Sequence, residues 1–329
     1  MRYDEMRIPY PMCRNALRYI TSLTVCAFLI GCVENNKWQL EPFVKYEHNP
    51  ILEPLGKTWQ AKDIFNPAAW TNGDTIWLLY RAEDSTGTGQ WNGTSRIGLA
   101  YSSDGLHFER EPYPVLEPTK TWEFPGGCED PRVVKIGEIF YLTYTAYDGE
   151  TARLALASST DLHTWEKHGI IFPKRGWTKS GAILSTPIDG VYWMYFGDTN
   201  LWAAYSSDLL TWTVIEEPVL RPRPQRFDSR LVEPGPPPLI TTGGILLLYN
   251  GANNARVYAS GQVLFDKRDP TKIVARSETP FLTPNLMLER QGQIPNVVFI
   301  EGLVRFQDRW FLYYGMGDSG IGVAFHDAD

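Results

Sequence analysis

The sequence predicts an all-β fold, a five-bladed β-propeller with a central funnel. Three observations carry this. Five strand-length segments share one pattern of β-branched and aromatic residues, at 75–81, 139–145, 191–197, 245–251 and 309–315. Each is followed by a second strand rich in small residues, at 97–100, 154–157, 202–205, 257–260 and 321–324. No stretch sustains helical periodicity, while Pro and Gly recur at turn positions, as in Pro234-Gly235-Pro236-Pro237-Pro238. The pairs recur about every 50–60 residues, a spacing typical of propeller blades. A β-sandwich would not explain strand pairs that repeat with the same internal order.

Taken in order, the chain starts with a leader. Arg14 and Arg18 precede an apolar stretch from Tyr19 to Ile30, which ends in Leu29-Ile30-Gly31-Cys32. The stretch is short for a bilayer span. A basic region, an apolar segment and a small residue before Cys resemble a bacterial lipoprotein signal. The expected organisation is a signal at 1–31, a tether at 32–38 lipidated on Cys32, and the propeller at 39–329. An ordinary cleaved signal is the alternative.

Within the propeller, polar turns such as Asn72-Gly73-Asp74 and Asp189-Gly190 precede the patterned strands. After the second strand of the first three repeats come Ser-Ser-Asp-Gly (102–105), Ser-Ser-Thr-Asp-Leu-His-Thr-Trp (158–165) and Ser-Ser-Asp-Leu-Leu-Thr-Trp (206–212). The chain of 329 residues carries a formal charge of −7; without the leader's four Arg, one Asp and one Glu, 27 basic and 36 acidic residues remain, a balance of −9. An acidic chain without a basic patch argues against nucleic acid as a partner. Cys128 is the one cysteine of the body, so no internal disulfide forms there, and it reads as a small buried residue rather than a nucleophile. The five His are scattered without ligand spacing, so no metal or cofactor is expected. Twelve Trp suit both a propeller core and the apolar faces of sugar rings.

The chemistry concentrates in Gly127-Cys128-Glu129-Asp130-Pro131-Arg132, where two carboxylates and an arginine fall within four residues. An acid beside a fixed cation has its proton affinity set by that neighbour and can orient a polar substrate. Corresponding places in the other repeats carry Asn66, Arg81, Ser95 and Arg96; Tyr147 and Asp148; Lys179 and Asp198; Glu233 and Asn250; and Glu301 and Asp318. If inner strands converge on a channel, these groups meet in one funnel suited to a polyhydroxylated neutral substrate.

The Cys-Glu-Asp-Pro-Arg run, with Gly-Pro-Pro-Pro further on, resembles glycoside hydrolase family 130, the β-mannoside phosphorylases and β-mannosidases. The resemblance covers essentially the whole body. It implies a five-bladed propeller, inversion at the anomeric carbon, and Asp130 as proton donor acting through the mannose 3-hydroxyl. Asn66, Arg81, Arg132 and Asp318 match positions that hold the terminal mannose. Ser95, Arg96, Glu129, Tyr147, Lys179, Asp198 and Asn250 are the further expected substrate-binding residues.

The family's phosphorylases carry cations where this chain has Phe196-Gly197-Asp198, Leu231-Val232-Glu233 and Tyr249-Asn250-Gly251. Glu233 and Glu301 stand where a phosphate site stays small or uncharged. A carboxylate about 4 Å from a phosphate oxygen is repelled by several kcal/mol at an effective dielectric near 20, but it suits an inverting hydrolase's general base. The expectation is therefore a lipid-anchored exo-β-mannosidase, with Asp130 as acid, Glu233 or Glu301 as base, and a β-mannoside oligosaccharide, β-1,2-linked, as substrate. A phosphorylase and a non-catalytic glycan-binding lipoprotein are the alternatives.

Overall fold

The computed structural model describes residues 38–86 and 93–327. The leader, Cys32 and nearly all of the tether lie outside the described residues.

The first strand, β1 (Val44–Lys45), pairs with the last strand of the chain, not with its neighbours in sequence. A four-stranded antiparallel meander follows: β2 (Asp63–Thr71), β3 (Ile76–Glu83), β4 (Ser95–Ser102) and β5 (Glu109–Arg110). The pattern recurs in β6 (Gly127–Ile136), β7 (Ile139–Tyr147), β8 (Ala152–Ser159) and β9 (Glu166–Ile170). It recurs again in β10 (Ala182–Ile183), β11 (Tyr192–Phe196), β12 (Trp202–Ser206) and β13 (Thr213–Val214). In the fourth unit, β14 (Leu231–Pro234) and β15 (Leu239–Ile240) both pair with β16 (Ile245–Ala252), which continues through β17 (Tyr258–Phe265) to β18 (Ile273–Arg276). After the one-turn helix α1 (Met287–Gln291), β19 (Val298–Phe306), β20 (Arg309–Met316) and β21 (Gly320–Asp327) form a fifth unit, and β1 is its fourth strand.

The all-β expectation holds. The five patterned segments are the second strands of the five units, and the small-residue segments are the third strands. Their smallness has a steric cause. A fully buried Tyr on each second strand lies opposite a Gly or Ala on the third: Tyr80 and Gly98, Tyr144 and Ala155, Tyr195 and Ala203, Tyr249 and Gly261, Tyr314 and Gly322. A Cβ at Gly98 would come within 2.5 Å of the Tyr80 ring.

In four units that Tyr hydroxyl joins one kind of clasp. Tyr144 donates to Glu123 (2.8 Å), which also takes Lys167 of β9 (2.7 Å). Tyr249 donates to Asp228 (2.7 Å), which takes Arg276 of β18 (2.6 Å). Tyr314 donates to Glu289 (3.0 Å), which takes Lys45 of β1 (2.7 Å). In the first unit Gln60 replaces the acid between Tyr80 (3.1 Å) and Arg110 of β5 (2.9 Å). Each clasp ties the segment entering a unit to its second and outermost strands. The third unit departs: Tyr195 donates to the Pro270 carbonyl (2.8 Å).

The apolar core is divided the same way. Both faces of each unit are buried, so Leu78 and Tyr80 of β3 face one cluster and Leu79 the next. Four clusters each join two successive units, and a fifth joins the fifth unit to the first through Ile64, Leu78, Phe306 and Val323. The Ser-Asp repeats are turn caps: Ser102, Ser159 and Ser206 each accept backbone N–H groups, and Asp104, Asp161 and Asp208 each cap the two amides that follow.

The clasps make a stability prediction. Glu123→Ala leaves Lys167, Tyr144 and the amides of Thr119 and Lys120 without their shared acceptor. Breaking a buried pair from one side costs about 3–5 kcal/mol, so urea unfolding should show a loss of that order, against near-neutral change for the exposed Glu138→Ala.

Candidate functional site

The site grows from irregularities in the first strands. β2 and β6 each carry a bulge at an Asn/Asp-Pro pair: Asn66 before Pro67 and Asp130 before Pro131. Both residues adopt the left-handed conformation, at φ 49° and 47°, which Asn and Asp tolerate better than other side chains. The bulge turns these two side chains out of the strand's alternation and toward one another. Close approach of neighbouring units permits this. A Cβ at Gly302 of β19 would strike the Pro67 carbonyl of β2 (2.7 Å), and one at Gly315 would strike Asn66 Oδ1 (2.7 Å).

Asp130, 2 % exposed, is held by three groups. Asn66 Nδ2 donates to its Oδ1 (2.8 Å), Arg81 Nη1 reaches the same oxygen (3.1 Å), and Lys179 Nζ lies 3.1 Å from Oδ2. Arg81 is itself fixed by Glu83 (2.7 Å), Glu129 (2.9 Å) and the Ser95 hydroxyl (2.9 Å). Lys179 also stands 3.7 Å from Glu233 Oε1, which accepts the Ser180 hydroxyl. One ammonium therefore bridges two carboxylates. The sum of its two distances bounds the separation of Asp130 Oδ2 and Glu233 Oε1 at about 6.8 Å.

These groups open onto a cavity of about 350 Å³ lined by Asn66, Arg81, Asp130, Lys179, Glu233 and Asp318, with Arg230, Arg256, Tyr258 and Phe299 on its other walls. Asn66 Oδ1 is buried and has no hydrogen-bond partner, leaving a free acceptor on the wall.

The proton affinities diverge. Burial pushes Asp130 up, but Lys179, Arg81 and Asn66 outweigh it and hold the carboxyl below its ordinary range. Burial raises Glu129 to about 7, against the pull of Arg81, and Asp318 likewise to about 7. Burial also raises Glu233, although Lys179 opposes it. The neighbouring cations thus favour the charged form of Asp130, while burial favours the protonated forms of Glu129 and Asp318.

The other expected residues divide sharply. Arg132 is 2 % exposed and spends its guanidinium on the carbonyls of Gly235 (2.8 Å) and Pro234 (2.7 Å). Its Nη2 also stands 3.1 Å from Glu301 Oε1, although its hydrogens are directed at the carbonyls. Glu301 is fully buried and does not line the cavity. Arg132 braces β14 against β6 rather than facing ligand. Asn250 exchanges hydrogen bonds with the Ile300 backbone (3.0 and 2.8 Å), pinning β16 to β19. Ser95 supports Arg81 from behind. Arg96 pairs with Asp84 (2.7 Å), away from the cavity. Tyr147 and Asp198 both contact Trp177, in a neighbouring groove. Arg230, Arg256 and Tyr258 were missed. Arg256 follows the polar turn Asn253-Asn254-Ala255, whose place between two strands was the available signal. Among the described residues no group of three or more His, Cys, Asp or Glu is arranged to hold a metal.

A polar pocket of paired acids and cations, with one aromatic and apolar wall, on a repeated all-β frame defines a carbohydrate-active enzyme. The chain belongs to glycoside hydrolase family 130: the family model described as beta-1,4-mannooligosaccharide phosphorylase matches residues 41–329. It is similar to a 1,2-beta-oligomannan phosphorylase of Thermoanaerobacter sp. (strain X514), 37 % identical over 281 residues, covering 84 % of this chain and 94 % of the relative. Among solved structures it is similar to a putative glycosidase from Bacteroides thetaiotaomicron, at 40 % identity and TM-score 0.85, covering 88 % of this chain and 98 % of that one. A second, also at 40 % identity and TM-score 0.85, covers 89 % of this chain and 97 % of its own. It is described with glycoside hydrolases of the family that target β-1,2 mannosidic linkages in Candida mannan.

The raised acids predict a pH effect on stability. A carboxyl whose folded value exceeds its unfolded one adds stability that is complete below the unfolded value and is lost as pH rises through the folded one. For Asp318 and Glu129 that window runs from the ordinary carboxylate range to about 7. Wild-type protein should therefore lose Tm between pH 5 and 8, and Asp318→Asn should flatten that decline in thermal melts. An equally steep decline in the variant would contradict the burial of Asp318's proton.

Proposed function

We propose that this protein is an inverting, exo-acting β-mannosidase that hydrolyses β-1,2-linked mannosides, on a five-bladed propeller whose first strands line a central funnel. The propeller reading is supported by five successive antiparallel units, four of them four-stranded and the fourth with the extra short strand β15, whose core clusters link each to the next and the fifth to the first. The observation that carries hydrolysis is Glu233. Its carboxylate lines the cavity no more than about 6.8 Å, oxygen to oxygen, from Asp130 across Lys179. Inverting glycosidases place donor and base about 6.5–9.5 Å apart, with water between base and sugar; the upper bound here reaches the lower edge of that range.

In this mechanism the terminal mannose binds against Asn66, Arg81 and Asp318. The proton that the leaving oxygen needs passes from Asp130 through the sugar's 3-hydroxyl. Asp130 must first be protonated, and burial favours protons on Glu129 and Asp318 beside it. Glu233 removes a proton from water, whose oxygen forms the new bond to the anomeric carbon as the glycosidic bond breaks. Glu301, sealed beneath Arg132, has no part in this step.

A second reading is phosphorolysis. Curated relatives carry phosphorylase names. Arg230 and Arg256, both exposed, line the cavity with no ion-pair partner among the described residues. With Lys179 they would supply an anion site that the missing family cations do not. The discriminating experiment incubates β-mannobioses of each linkage with and without phosphate. Free mannose and no phosphate stimulation are expected; phosphate-dependent mannose 1-phosphate would establish the second reading. Asp130→Asn and Glu233→Gln should each lower turnover by about 10² or more, the scale of general acid–base catalysis, whereas Asp130→Asn would leave the ligand affinity of a mere glycan-binding protein intact.

We also propose that Cys32 is lipidated and anchors the enzyme to a membrane. Acyl chains would supply the anchor, so Cys32→Ala should move the protein from the membrane fraction to the soluble one; a wild type found soluble would refute the anchor.

A further inference from the structure

Beside the catalytic cavity lies a second and larger one, about 590 Å³, lined by Arg175, Trp177, Thr178, Phe196, Asp198 and Trp202, with Gly176, Gly197 and Thr199. Its central feature is Trp177, 54 % exposed and the only Trp among the described residues that is exposed. The ring is nonetheless fixed. Its Nε1–H donates to Asp198 Oδ2 (2.6 Å), and the Tyr147 ring meets it edge-on with centroids 6.5 Å apart. A solvent-facing indole that is clamped at its edge presents a rigid flat surface at little further cost in conformational entropy. Around it stand polar groups. The Asp198 carboxylate has one oxygen engaged by the indole. The Arg175 guanidinium lies over Phe196 and Trp202, 6.0 and 5.7 Å from their ring centres.

The groove adjoins the catalytic cavity across one stretch of backbone. Thr178 lines the groove, and the next residue, Lys179, lines the cavity. The Lys179 carbonyl accepts the Gly197 amide (2.9 Å), so the two walls share one backbone connection. The charge of Asp198 acts on both Lys179 and Glu233. Trp177 and Asp198 do not line the catalytic cavity itself, so nothing in the proposed reaction uses them.

We propose that this groove is a distal saccharide subsite, which takes a pyranose of the leaving chain beyond the two sugars flanking the scissile bond. This rests on the glycosidase reading above. The apolar face of a pyranose would lie on Trp177, with ring hydroxyls met by Asp198 and Arg175; a few polar groups placed around an apolar wall are the usual means of fixing a ligand's orientation. The occupant follows from adjacency: the groove borders the cavity that would hold the terminal sugar, with only the Thr178–Lys179 backbone between them, and the exposed Trp177 face is the apolar surface on that side. The subsite would make the enzyme prefer oligosaccharides to the disaccharide.

The test is a ladder of β-1,2-mannosides from disaccharide to tetrasaccharide, assayed with wild type, Trp177→Ala and Trp177→Phe. Losing a central aromatic anchor costs more than about 1.4 kcal/mol, or tenfold. Trp177→Ala should raise KM about tenfold for the trisaccharide and longer, change disaccharide kcat/KM less than about twofold, and be largely rescued by Trp177→Phe. Equal effects on every member, or none, would overturn the subsite while leaving the glycosidase reading in place. A wild type that cleaves no member would defeat the glycosidase reading instead. Calorimetric titration of the trisaccharide into Asp130→Asn protein, with and without Trp177→Ala, reads the groove without turnover. A tenfold loss of affinity supports the subsite, and unchanged affinity refutes it.

Discussion

Everything in the catalytic cavity depends on how one carboxylate is held. Asp130 belongs to the second unit, yet its partners Asn66 and Arg81 come from the first, and Lys179 from the segment entering the third. A carboxylate this buried stays ionised because three donors meet it. On its other side Asn66 lies so close to the fifth unit that Gly302 and Gly315 have no room for a Cβ. The same cluster sets the protonation of its surroundings. By favouring the charged form of Asp130, Arg81 and Lys179 make proton binding a property of the group, not of Asp130 alone.

The sequence displayed the repeats because their cause is local: a strand buried on both faces needs β-branched and aromatic residues, and the Tyr on it needs a Gly or Ala across the ladder. It displayed Asp130, Asn66, Arg81, Lys179, Glu233 and Asp318 because they sit at equivalent strand heads. It could not display which strand-head groups turn inward. Arg132 and Glu301 look catalytic in one dimension. In three dimensions Arg132 is consumed by the carbonyls that the Pro234-Gly235 turn leaves unpaired, and Glu301 is shut in behind it. Asn250 is likewise taken up by the backbone of the adjoining unit. Arg230 and Arg256 carried no motif. Their place on the cavity wall comes from two turns brought side by side, where the Arg230 amide donates to the Ala252 carbonyl (2.8 Å).

The clasps were invisible for a related reason. Glu123, Lys167 and Tyr144 are separated by about twenty residues each and match no spacing rule, yet four units build the same arrangement from different chemistry. Gln60 substitutes for an acid and Arg for Lys, which hides the repeat from any comparison of letters. What recurs is the geometry: an acceptor from the entering segment, a hydroxyl from the second strand and a cation from the outermost.

In the fifth unit the cation is Lys45, and it comes from the beginning of the chain. The strand that completes the structure is thus the first to leave the ribosome, and its partner, β21, is the last. During synthesis β1 has no neighbour to pair with, and the cluster shared by the first and fifth units stays open to solvent. The pairing of β1 with β21 joins residues more than two hundred positions apart, an entropic cost that grows only logarithmically with that length but is met at the end of folding, when every other unit can already be in place.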